Sequence, residues 1–326
     1  MSSAPRLARG GLDLGGTKIQ AVITARSARV IGHARRDTPR RGGPEAVVRD
    51  LSLTIREAAA DAGLKLGELG GVGVGVPGEV DATLGTVPQM ANVDGWEEDF
   101  ALGPALTEAF GGLPVRLGND VNVAVEAERR YGAGRGLRSF IGVFWGTGVG
   151  GGLVVDGRLL AGRGSAGEIG HLCVKPGGRR CACGLRGCLE AYAGRGALEQ
   201  RARHEARRRK TVLFDLMRQR GRDRLTSGIW LRALDAGDEV ARDLLDGAVE
   251  ALGIGIGAAV TLLDVEAVIL GGGLGERLGP TWLRRIEKAA RPHTFFRDRP
   301  VYRLAELGDM GGAIGASLLA SARGVA

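Results

Sequence analysis

Aromatic residues are scarce in this 326-residue chain: Phe, Trp and Tyr make up 4% of it, which leaves few rings on which nucleobases could stack. Cysteine is scarcer still. Of four in all, three crowd into 181-CACGLRGC-188, unlike the spread framework of a disulfide-stapled secreted protein. The opening residues MSSAPRLARGGLDLGG lack the apolar core of a signal peptide, and no uncharged run is long enough to span a bilayer. These absences point to a cytoplasmic protein with no membrane partner. Proline is sparse as well, at 11 residues, whereas glycine reaches 57 without a collagen-like period. That excess belongs in tight turns and where backbone must approach a ligand closely.

A chain of this length fits two domains better than one core. The net charge is +8 and nearly all of the basic residues are arginine, densest in 35-RRDTPRR-41 and 201-RARHEARRRK-210. Such charge could attract nucleic acid nonspecifically. With so few aromatics, a solvated arginine-rich surface is the simpler reading, and no specific nucleic-acid partner is expected.

Apolar runs flank a polar, glycine-rich hinge in 9-RGGLDLGGTKIQAVITA-25, which reads as strand, turn, strand. A second unit of the same form, 139-SFIGVFWGTGVGGGLVVDGRLL-160, echoes it and suggests two related lobes facing a shared cleft. Between them, residues 44–63 place Val48, Leu51, Ile55 and Ala58 on one face, start with a proline and stop at a glycine, as a helix does. The runs 71-GVGVGVPGEVD-81 and 114-PVRLGND-120 read as buried strands ending in polar turns, the second leading into a helix over 121–131. Further helices are expected over 239–263, 280–290 and 310–320, with a strand and glycine turn in 266-EAVILGGGLGE-276. The charged segment 201–224 has helical character and reads as an insertion without a motif.

Three glycine clusters carry the chemistry. In 13-DLGGTK-18, amides around Gly15 and Gly16 and the Thr17 hydroxyl could contact phosphate beside Lys18, while Asp13 could hold hydrated Mg²⁺. The lysine spacing is not that of a Walker loop, and taken alone an ordinary hairpin turn fits equally. Gly146, Thr147 and Gly148 offer the same chemistry, and Gly271, Gly272 and Gly273, between strand and helix, could admit a nucleotide's flat face or α-phosphate. Together the three favour nucleotide phosphate transfer.

DLGGTK, GVPGEVD, GND, GTGVGGG, GEIGH, CACGLRGC and GGG occur in the order seen in ROK proteins, and over residues 10–320 the chain resembles that family of sugar kinases and repressors. The resemblance implies an α/β, two-lobed actin-like ATPase (ribonuclease H-like) fold with a small zinc-binding loop. It implies an N-terminal lobe over 1–120 and a C-terminal lobe over 121–326 with the zinc loop at 171–188. The last helix, about 310–323, would pack back on the N-terminal lobe. The substrates implied are ATP, with Mg²⁺, and a hexose held between the lobes. Such proteins are commonly homo-oligomers, dimers or tetramers.

His171, Cys181, Cys183 and Cys188 form an H-x9-C-x-C-x4-C array that supplies the four ligands of a Cys₃His zinc site and resembles the ROK zinc signature. CxC lacks the CxxC spacing of a thioredoxin-like redox pair, although free core cysteines are an alternative. Cys173 reads as a small apolar strand residue of the core rather than a ligand. The resemblance makes Glu168, His171 and Glu190 contacts to sugar hydroxyls at both ends of the zinc loop, so that the metal would shape sugar binding without performing the chemistry. It makes Asp120 the general base and Asn119 a hydroxyl contact, and Gly78 permits close backbone approach to the sugar. By spacing alone, 118-GND-120 is also a common turn. The segment 90-MANVDGW-96 departs from the family's Pro-Asn-Leu, which leaves the role of Asn92 open.

The expected activity is ATP-dependent phosphorylation of glucose to glucose 6-phosphate. Mannose, fructose, N-acetylglucosamine or N-acetylmannosamine are alternative acceptors, and polyphosphate an alternative donor. A sugar-sensing regulator is the rival from another class. ROK repressors place a winged helix before the first hairpin, and twelve residues ahead of Asp13 leave no room for one.

Overall fold

The computed structural model describes residues 8–25, 28–90, 93–295 and 300–320. The chain divides into two compact units, Met1–Arg135 with Ala161–Ser165 and Asp309–Ala326, and Gly136–Leu160 with Ala166–Gly308.

In the first unit β1 (Arg9–Leu14) and β2 (Lys18–Thr24) form the expected hairpin, followed by β3 (Val30–Asp37), α1 (Gly43–Asp61), β4 (Val72–Val76), α2 (Leu102–Ala109), β5 (Val115–Asn119) and α3 (Asp120–Tyr131). The sheet order is β3-β2-β1-β4-β5, with β1 to β3 antiparallel and β4 and β5 joined in parallel to β1. All five residues of VGVGV in β4 are buried, as a central parallel strand covered on both faces requires. One covering element is the helix Gly311–Leu319, and the strand glycines admit it: a Cβ on Gly73 would lie 1.8 Å from the Ala316 carbonyl oxygen and one on Gly11 2.0 Å from that of Ala313. The boundary falls after Arg135 rather than at the expected residue 120, because α3 packs on this C-terminal helix, β4 and β5. The helix also ends at Leu319, and residues 321–323 of the expected span lie outside the described residues.

The second unit repeats the plan. Its strands are β6 (Phe140–Trp145), β7 (Val149–Val155), β8 (Arg158–Leu160), β9 (Ala267–Gly271) and β10 (Val301–Leu304) in the order β8-β7-β6-β9-β10. Again a three-strand antiparallel meander is extended by two parallel strands, so the echo between the two hairpins extends to whole sheets. Its helices are α4 (Glu190–Ala193), α5 (Arg195–Glu205), α6 (Leu213–Gln219), α7 (Ser227–Asp235), α8 (Glu239–Leu263) and α9 (Gly275–Ala290), and the C-terminal helix of the first unit is α10. The expected helix at 280–290 is the second half of α9, set off by a kink at Gly279 before Pro280.

The segment 201–224 is anchored to this unit: Ala202 and Leu213, with Leu225 just beyond, are fully buried in its core. The helix α8 is long and apolar enough to cross a membrane by length and composition, although its uncharged run covers only 251–263. Its apolar side is core: Leu245, Leu252 and Ile256 are fully buried.

Candidate active site and metal centre

In the first unit, polar residues collect at the C-terminal ends of β1, β4 and β5, where parallel strands of α/β sheets present their chemistry. Asp13 lies near the end of β1. The turn after it is closed by the Gly15 N–H donating to the Lys18 carbonyl (2.9 Å), and is held from β3's end by Thr38, whose hydroxyl donates to the Gly15 carbonyl (2.6 Å) and whose N–H donates to that of Thr17 (3.3 Å). Gly16 and Thr17 stay exposed at its tip. Lys18 Nζ stands 3.0 Å from Asp309. Burial first, then the Asp120 carboxylate, raises the Asp13 pKa to about 7, with Asp309 adding to the rise and Lys18 opposing it. Asp120 opens α3, its Oδ1 accepting from the Val121 N–H (2.8 Å). Asn119 caps that helix by accepting from the Asn122 N–H (2.9 Å), while its Nδ2 donates to the Gly78 carbonyl (3.0 Å). Thus Asp13, Lys18, Gly78, Asn119 and Asp120 come together within one unit. Asn92 lies outside the described residues.

In the second unit, the 146–148 turn links β6 to β7 and is closed by the Gly146 N–H donating to the Gly148 carbonyl (3.0 Å). Glu190, first residue of α4, reaches beneath it: Oε2 accepts from the Val149 N–H (2.9 Å). A Cβ on Gly148 would lie 2.1 Å from that oxygen, so any side chain there would push the carboxylate away. Burial raises the Glu168 pKa, His171 lowers it and Glu190 raises it again, which marks the three as one electrostatic cluster. The 271–273 turn runs alongside, a Cβ on Gly146 falling 4.0 Å from the Gly273 nitrogen, and the Gly272 N–H donates to Glu276 (3.1 Å). Two neighbours of these turns went unread in the sequence. Arg195 donates to the Thr147 hydroxyl (2.8 Å) and to that of Ser227 (3.0 Å). Neither sits in a motif; the available signal was an arginine at the first position of a helix that begins just after Glu190.

One donor atom each from His171, Cys181, Cys183 and Cys188 lies within 4.8 Å of the other three. The Cys183 and Cys188 sulfurs are 3.8 Å apart, and Cys181 Sγ is 3.9 Å from His171 Nδ1. A tetrahedral zinc with bonds of about 2.3 Å to sulfur sets its ligands at about that spacing, so the cluster fits the ion. The opposite ring nitrogen, Nε2, faces Glu168 at 4.0 Å. His171 therefore has one nitrogen for a metal and one for the carboxylate cluster, which makes its two expected roles compatible. Cys173 is outside the ligand group, but it is exposed rather than in the core. It pairs with Cys188 in an isolated bridge on the loop that carries the cluster, and with Cys188 buried the Cys173 side of the bridge is left to solvent.

Two sheets of one topology, each opened by a glycine-turn hairpin with carboxylates close to the turn, define an α/β protein of two repeated units. The ROK family model matches residues 9–323. Glucokinase of Halalkalibacterium halodurans is 31% identical over 95% of this chain and 93% of its own. N-acetylgalactosamine kinase AgaK of Shewanella sp. (strain ANA-3) is 32% identical over 95% of this chain and 95% of its own. A ROK family glucokinase from Streptomyces griseus, solved with glucose and AMPPNP, superposes with a TM-score of 0.82 at 32% identity, covering 96% of this chain and 98% of that one. The chain belongs to the ROK family.

Proposed function

We propose that this protein is an ATP-dependent hexose kinase and that its acceptor is glucose, phosphorylated on the 6-hydroxyl. The observation that carries the reading is the pairing of Asp120 with the Asp13–Lys18 turn in one unit, close enough for the Asp120 charge to act on Asp13. A base and a phosphate-binding turn side by side are what transfer to an alcohol requires. Phosphoryl transfer needs mainly positioning and charge stabilisation. Asp120 takes the proton of the attacking hydroxyl, and Asn119, Glu168, His171 and Glu190 hydrogen-bond sugar hydroxyls. The amides of the 15–18 and 146–148 turns receive donor phosphates.

Asp13, a carboxylate with further carboxylates in its field, suits a divalent cation, and Mg²⁺ bound there would neutralise charge on the transferred phosphate. His171, Cys181, Cys183 and Cys188 would hold Zn²⁺, whose contribution is a cross-link that orients Glu168 and Glu190. Glucose is favoured by the glucokinase relatives, whereas AgaK, as similar in sequence, acts on an N-acetylated sugar by its name. The deciding experiment is ADP release by the purified protein with ATP and each of glucose, mannose, fructose, N-acetylglucosamine and N-acetylmannosamine. Preference for glucose is expected. Preference for another sugar keeps the mechanism and overturns the acceptor, and binding of a sugar without turnover overturns the kinase in favour of a sensor.

A further inference from the structure

Arg195 is placed by the glycine turn itself. Its own N–H donates to the Gly146 carbonyl (3.2 Å), and the next N–H, of Gly196, donates to that of Thr147 (3.0 Å). The guanidinium turns the same way, with Nη2 on the Thr147 hydroxyl and Nη1 on that of Ser227. Ser227 borders the other glycine turn, its hydroxyl 3.8 Å from where a Cβ on Gly273 would sit. One cation therefore joins the two turns.

Its charge has no direct counter-ion. Both partners are neutral hydroxyls, and among the described residues no carboxylate pairs with it. Glu199 is the acid whose charge reaches it, but Glu199 already pairs with Arg203 (2.7 Å) and Arg224 (3.4 Å). Three arginines thus share one carboxylate. Burial, then repulsion by Arg224, lowers the Arg195 pKa. Even half-burying a cation without its own counter-ion is costly, and a simple strut between Thr147 and Ser227 would need no charge. A planar guanidinium with neutral, replaceable partners is suited to an anion that arrives with the ligand.

We propose that Arg195 binds a phosphate of the phosphoanhydride donor over the 146–148 turn, exchanging its hydroxyl partners for phosphate oxygens. This rests on reading that turn as the donor's site. The test is calorimetric binding of ADP, tripolyphosphate and adenosine to the unsubstituted protein, Arg195→Gln and Arg195→Lys, each with its melting temperature, and KM for ATP and hexose. A charge-assisted contact predicts that Arg195→Gln weakens ADP and tripolyphosphate about ten- to hundredfold. Adenosine affinity and hexose KM should stay within about twofold, the Lys variant should be intermediate, and the ATP KM should rise with ADP's Kd.

Equal loss for adenosine and ADP, or a lowered melting temperature with donor affinity intact, would make Arg195 a strut and overturn the proposal alone. If the unsubstituted protein binds neither ADP nor tripolyphosphate, the donor-site reading fails and takes this inference with it. Tripolyphosphate binding without ADP binding keeps Arg195's role and changes the donor.

Discussion

Replacing Gly148 by alanine should disable Glu190 from a distance. The new Cβ would lie 2.1 Å from Glu190 Oε2 and 3.1 Å from its carboxyl carbon. Real Cβ atoms essentially never come closer than 3.0 Å to another atom, so the carboxylate has to withdraw by about 1 Å. Its hydrogen bond from the Val149 N–H, now 2.9 Å, would then exceed hydrogen-bonding distance. Losing a charge-assisted bond at a part-buried site costs about 1.5–3 kcal/mol. If Glu190 also contacts the hexose, its KM should rise about tenfold or more. The assay is a double-mutant cycle of Gly148→Ala and Glu190→Ala, read by urea unfolding and by hexose KM. Both single changes remove one interaction, so the double variant should be no worse than Glu190→Ala by more than about 0.5 kcal/mol. Full additivity, or a Gly148→Ala protein with unchanged stability and KM, would refute the steric argument.

Asp120→Ala should lower kcat by about 10²–10⁴-fold while hexose binding, measured by titration, changes little; near-normal turnover removes Asp120 as the base. Cys183→Ala should release zinc to a chromogenic chelator, lower the melting temperature and raise hexose KM about tenfold, and full activity of metal-free unsubstituted protein would sink that link. Asp13 offers a pH test. Its carboxyl holds a proton up to about pH 7 in the folded chain, against about 3.8 for a free aspartate, so stability in EDTA should fall as pH rises from about 4 to 7. Asp13→Asn should lack that decline and be more stable by about 2–4 kcal/mol at pH 8; parallel pH profiles would contradict the buried-carboxylate account.

Much of the fold was legible because it rests on local signals. The hairpin at 9–25 and the helix at 44–63 show in apolar alternation, periodicity and their proline and glycine limits, which local backbone preferences reward directly. The His171–Cys188 cluster was legible for a related reason: spacing within a short loop limits where four donors can meet. Elements held by tertiary contact were not legible. β10 is a four-residue edge strand, α2 a short helix set against β5 and α1, and α6 lies in a charged segment whose place is fixed by the buried Leu213.

Sequence alone determined the order of the motifs, the paired hairpins and the residue types able to bind phosphate, metal and sugar, since each depends on neighbours along the chain. Only the tertiary structure decided which of them meet. It put Asp13 in the field of Asp120, turned Nδ1 of His171 to the thiols and Nε2 to Glu168, slid Glu190 under Gly148 and set Arg195 between two glycine turns. Apart from the contacts of His171, those pairings join segments far apart in sequence. They arise from how helices close over sheets, where a missing Cβ or an enclosed charge decides what can approach, and no local periodicity encodes that.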